Sequence, residues 1–153
     1  MIKNREFLNE RITEIGLGCW QLGGDWGEIS EKKALEILKT AYEQGVRFFD
    51  TAAVYGRGKS ERIIGTFLKT IDQKPFIATK IPRTTVPADL TAELIRSATR
   101  KSLDNLQLDR LDLTQLHCVP MESLKDEQVW ATLRQLKEEG TIRHFGASVE
   151  SME

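Results

Sequence analysis

The sequence is short of almost every feature that would mark a specialised class of protein. Neither sign of charge dominates: 22 lysines and arginines face 23 aspartates and glutamates, for a formal net charge of −1. Nucleic-acid binding draws on clustered positive charge that neutralises phosphates, so this balance gives such a partner no support. No stretch approaches the run of about 18 apolar residues that a membrane-crossing helix requires. The opening residues 1–10 are polar and lack the apolar core of a secretion signal. Cysteine is scarce: Cys19 and Cys118 lie far apart without metal-ligand spacing and read as reduced thiols acting as small hydrophobes, not as a disulfide. The two histidines, His117 and His144, fall in different layers of their strands, which leaves no ligand set for a metal. Together these absences predict a cytoplasmic protein with no nucleic-acid, membrane or metal partner.

What is present is the composition of an ordinary globular chain, with 40% hydrophobic and 29% charged residues. A chain of 153 residues supports one domain, 1–153, because a domain of that size buries roughly 70% of the surface its unfolded chain exposes. Low-complexity tracts and linkers are missing. Apolar strand signals begin near residues 14, 46, 76, 111 and 142, and all but the last are followed by an amphipathic helical pattern. Ser30 suits a helix N-cap, further helices start at Thr91 and near Asp126, and Gly45 and Gly140 suit helix ends. Ser60 and Glu61 read as opening the helix that carries Ile63, Ile64, Phe67 and Leu68 on one face. Alternating short segments around Asn9-Glu10 suggest a hairpin before the main fold. The expected class is α/β, with about five parallel strands and four helices in barrel-sized units.

Four consecutive strands end in polar side chains: Asp50, Lys80, His117 and Ser148. In a parallel α/β fold those ends converge on one face, which is where such folds place their active sites. Taken singly, each residue has an ordinary reading. Asp50 suits a loop carboxylate, Lys80 a solvated strand end, His117 a hydrogen-bonded core histidine, and Tyr55 a loop tyrosine packed on its neighbours. Taken together they suit chemistry. A tyrosine titrates near pH 10, so Tyr55 becomes a useful acid near neutrality only beside a cation, which Lys80 supplies and Asp50 holds in place. His117 could then hydrogen-bond a bound carbonyl oxygen. This set suits protonation of a carbonyl oxygen while hydride reaches carbon, and the hydride must come from a cofactor. A lyase using Lys80 as a Schiff-base amine is a weaker reading of the same residues.

The motifs Ile15-Gly16-Leu17-Gly18-Cys19-Trp20, Phe49-Asp50-Thr51-Ala52 through Tyr55-Gly56, Ser60-Glu61 and Ile64-Gly65 resemble the amino-terminal part of an aldo-keto reductase, a family of (β/α)8 barrels. The resemblance covers nearly the whole chain. It implies an oxidoreductase that reduces an aldehyde or ketone with NADPH, NADH being the other nicotinamide cofactor left open. The family's catalytic tetrad falls on Asp50, Tyr55, Lys80 and His117, with Tyr55 as proton donor. The implied cofactor-binding residues are Trp20, Asp50 and Ser148, although Val149 stands where the family often has asparagine after the serine. Because a barrel of this kind needs roughly 250 residues, the expectation is a partial barrel, a truncated or split family member lacking the later strands. Open sheet edges would favour self-association or a complementing carboxyl-terminal half. A noncatalytic remnant or regulatory module of the same fold is the competing reading.

Overall fold

The computed structural model describes residues 2–149; the short tail after Val149, read as too brief for another helix, lies outside that range. The chain begins with a hairpin of β1 (Asn4–Phe7) and β2 (Glu10–Thr13), paired antiparallel from Asn4 opposite Thr13 to Phe7 opposite Glu10. Its two-residue turn is Leu8-Asn9, with φ of 52° and 63°. Positive φ at both central residues is what a tight hairpin turn needs to match the twist of its strands.

A five-stranded parallel sheet follows, in the order β3 (Leu17–Gly18), β4 (Phe48–Asp50), β5 (Phe76–Ile81), β6 (Leu111–His117) and β7 (Ile142–Ser148). Between its strands run α1 (Glu31–Glu43), α2 (Lys59–Leu68), α3 (Ala92–Leu106), α4 (Met121–Lys125) and α5 (Glu127–Glu138). The expected helix starts are capped by side chains. Ser30 Oγ accepts from Lys33 N at 3.2 Å, Thr91 Oγ1 from Leu94 N at 3.1 Å, and Asp126 Oδ1 from Gln128 N at 2.9 Å.

The structure corrects the sequence reading at several points. The first two sheet strands start later than residues 14 and 46. Thr13 Oγ1 donates to Ile15 O and accepts from Arg47 N, while Val46 N bonds Ala41 O at the end of α1. Those groups are committed before the ladder begins. The helices number five among the described residues, because the short α4 turns directly after Pro120 where a loop was expected. Ser60 and Glu61 lie in the first turn of α2 as expected, but neither caps it. That helix starts at Lys59 behind Gly58 at φ 81°, and both polar side chains are fully buried in its first turn.

The main core lies between sheet and helices, around the fully buried Phe49, Ile77, Leu116, Leu38, Ile64, Ile95 and Leu133. On the opposite sheet face, side chains two residues apart share one surface. There Phe76, Ala78 and Leu113 form a smaller cluster, with Ile12 and Phe48 packed against it. Phe7 meets Phe76 edge to face at 6.3 Å between ring centroids, so the hairpin lies over the amino-terminal end of this face. Among the described residues β3 pairs only with β4, and β7 only with β6, so both are edge strands.

Candidate active site

Two features of the sheet bring the polar strand ends together. Asp50 continues the face of Phe48, Lys80 that of Phe76 and Ala78, and His117 that of Leu113, because alternate residues point the same way. The register then staggers them: Asp50 pairs with Ala78, two residues before Lys80, and Lys80 pairs with Gln115, two before His117. His117 in turn pairs with Ser148. The functional positions thus climb diagonally across neighbouring strands, as strand tilt in a barrel sheet requires.

Lys80 is only 5% exposed, and its ammonium donates to Asp50 Oδ1 at 2.6 Å and to the Thr51 carbonyl at 2.8 Å. Asp50 is half-buried, at 35% side-chain exposure, so the pair joins a dry cation to a carboxylate that water still reaches. The Lys80 nitrogen sits 5.3 Å from the centre of the Tyr55 ring, within cation–π range. Tyr55 presents a half-buried ring between two others: His117 meets it edge-on at 6.0 Å, and Trp20 stacks on it at 5.6 Å with 16° between planes. The sequence-derived residues Asp50, Tyr55, Lys80, His117 and Trp20 are therefore brought together, with Ser148 beside His117 at the end of β7.

Tyr55 lies in the loop between β4 and α2, and that loop is tightly specified. Gly56 has φ 56°, and a Cβ on it would fall 2.2 Å from the carbonyl oxygen of Gly23. Only glycine tolerates both the left-handed backbone and the approach of the neighbouring loop. Beneath the loop, Ser60 Oγ donates to the Cys19 carbonyl at 2.8 Å and stands 2.9 Å from Thr51 Oγ1. A hydroxyl has one proton to give, so Thr51 is the donor in that second contact. Thr51 is consequently fixed by its side chain while its carbonyl holds Lys80. Glu61 accepts from Thr79 Oγ1 at 2.7 Å and from Asn105 Nδ2 at 2.9 Å, tying α2 to β5 and α3.

Sequence reasoning missed these supporting groups. Ser60 and Glu61 stood out by position but were assigned to the helix start, and no periodic pattern distinguishes a buried carboxylate from a capping one. Burial, reinforced by Asp50 and opposed by Lys80, pushes the Cys19 thiol far above the usual range, which favours its protonated form. Both cysteines are free, and no cluster of His, Cys, Asp or Glu able to hold a metal occurs among the described residues.

Comparison with known proteins identifies the family of the fold. Residues 14–153 match the model of the aldo/keto reductase family, and the chain belongs to that family. It is 37% identical over 143 residues to the oxidoreductase YqkF of Bacillus subtilis, covering 90% of this chain and 45% of that protein. It is 35% identical over 143 residues to L-galactose dehydrogenase of Arabidopsis thaliana, covering 89% and 44%. Among solved structures, the holo form of aldo-keto reductase AKR11C1 from Bacillus halodurans superposes with a TM-score of 0.84 at 32% identity, over 98% of this chain and 51% of that one. The chain thus spans about half the length of the relatives it matches, and its five-stranded sheet is a partial version of their barrel.

Proposed function

We propose that the strand-end site reduces the carbonyl of a small aldehyde or ketone, with Tyr55 as proton donor and NADPH as hydride source. The observation that carries this reading is the dry Lys80 ammonium, fixed by Asp50 and Thr51 and 5.3 Å from the Tyr55 ring. A fixed cation beside the ring is the kind of partner a tyrosine uses when it acts as a general acid. Asp50 keeps the ammonium in place. His117, edge-on to Tyr55, orients the substrate oxygen toward the phenol.

The residues present fit a nicotinamide cofactor. Trp20 offers a flat, 45% exposed aromatic face beside Tyr55, and Ser148 offers a hydroxyl at the neighbouring strand end; these, with Asp50, are the groups that would hold it. When bound, the cofactor supplies hydride to the carbonyl carbon. A structure of the same fold, an aldo-keto reductase from Klebsiella pneumoniae, is in complex with NADPH. Everything else falls to this chain: Tyr55 gives its proton to the carbonyl oxygen, and Lys80 stabilises the phenolate that remains.

The exposed edges of β3 and β7 support a second element of the proposal: full turnover needs further strands against those edges, from a second copy or a complementing carboxyl-terminal segment. A noncatalytic, interaction-only role for the same fold is favoured by that open sheet alone. The test is direct. NADPH is titrated into the purified chain while tryptophan fluorescence is read, and NADPH oxidation is followed with a reactive aldehyde. Quenching with turnover supports the reading; neither signal in self-associated protein, as sized by light scattering, nor in the chain supplied with a complementing carboxyl-terminal segment, overturns it.

A further inference from the structure

We propose that Asp25, in the loop after β3, is a positioning residue for Tyr55; this rests on the proton-donor role proposed above. One carboxylate oxygen, Asp25 Oδ2, accepts two hydrogen bonds: from the Trp20 indole Nε1 at 3.0 Å and from the backbone Gly56 N at 3.1 Å. These donors flank Tyr55 on both sides. Trp20 is the ring stacked on Tyr55, and Gly56 is its neighbour in the chain.

The contact closes a clamp between two loops that already touch through backbone. A Cβ on Gly23 would lie 2.6 Å from Gly56 N, so the chains are in van der Waals contact there and can neither approach further nor carry a side chain. Contact of that kind sets a distance but leaves rotation open. The Tyr55 ring needs a fixed plane, because His117 stands nearly perpendicular to it and Lys80 lies over it. Asp25 fixes that plane by holding the stacking partner and the following amide with the same atom. Bonds between an ionised acceptor and N–H donors are stronger than neutral ones, so an exposed loop residue suffices.

Asp25 touches no reacting atom in this role, and its side chain lies at the surface, so replacing it should spare the fold. The decisive measurement uses 13C,15N-labelled chain and NMR, with the Trp20 indole signal assigned by Trp20→Phe and the Tyr55 ring C–H signals by Tyr55→Phe. In Asp25→Ala, the Trp20 indole N–H signal is expected to move and the Tyr55 ring signals to move with it, while Trp130 stays put. Asp25→Asn, which keeps an acceptor oxygen, should restore both toward their original positions. In turnover, Asp25→Ala should lower kcat by about tenfold to a hundredfold, the range expected when reacting groups are misplaced, with a smaller rise in the KM for NADPH because Trp20 also faces the proposed cofactor site. Tyr55 signals that stay fixed while the Trp20 signal moves would overturn the proposal. So would a wild-type kcat in Asp25→Ala. A wild-type chain without any turnover would count against the reductase reading only, since the Tyr55 signals still decide the positioning role.

Discussion

The parallel sheet carries a carboxylate–cation arrangement at each end, on different strands, and the two are built for different ends. At the carboxyl end, Lys80 is nearly dry and meets Asp50 at 2.6 Å, in front of the Tyr55 ring. At the amino end, Arg143 pairs with Glu10 of the hairpin and lies 3.8 Å from Asp112, all three partly exposed. Asp112 also accepts from Ile77 N at 3.0 Å, tying β6 to β5. Beside this second arrangement sits the aromatic cluster of Phe7, Phe48, Phe76 and His144. The amino end secures the hairpin and the strands; the carboxyl end holds one cation where it can act on something brought in.

Substitutions at the two ends should therefore separate activity from stability. Lys80→Met is expected to cut carbonyl reduction by about 10²–10³-fold, the usual effect of removing one preorganised electrostatic group. Methionine removes a buried charge, but Asp50 and the Thr51 carbonyl lose their donor, so unfolding stability should change by at most about 3 kcal/mol. A cooperative unfolding curve and a steady-state assay check both halves. Phe76→Ala should act on stability alone. It removes a ring, 8% exposed, that touches Phe7, Phe48 and His144, and should cost about 3 kcal/mol of stability by urea unfolding. Activity of the folded fraction should stay close to wild type.

The smallest effect belongs to Asp112. Burial raises its carboxyl above the usual range, opposed by the Ile77 N–H and by Arg143. A raised value in the folded state means that stability is fully present below the ordinary carboxylate range and is lost as pH rises through the folded value. Asp112→Asn removes that loss, so the variant should gain on the wild type as pH is raised from strongly acid to neutral. Unfolding series at several pH values would show it, and a gain in the opposite direction would contradict the burial argument.

How much of this was legible beforehand follows from what each feature depends on. Strand and helix placement rests on local apolar periodicity, and Ser30, Thr91 and Asp126 cap their helices as their residue types suggest. Asp50, Lys80 and His117 were readable because the parallel fold turns position along a strand into position in space. Glu61 was not, since its partners Thr79 and Asn105 lie 18 and 44 residues away in the chain. Asp25 was hidden for the same reason: its contact to Gly56 spans 31 residues and depends on two loops whose shapes are set by glycines. The late start of β3 and β4 also reflects a non-local event, the capture of Arg47 N by Thr13.

The central claim is that Tyr55, activated by Lys80, gives the proton. It is tested most directly by NADPH oxidation with a reactive aldehyde in the wild-type chain and in Tyr55→Phe, with cofactor binding read in parallel by fluorescence. The account predicts unchanged NADPH binding and a turnover rate lower by about 10²–10⁴-fold, the range that a general acid contributes. A Tyr55→Phe chain that reduces the aldehyde at the wild-type rate would contradict it.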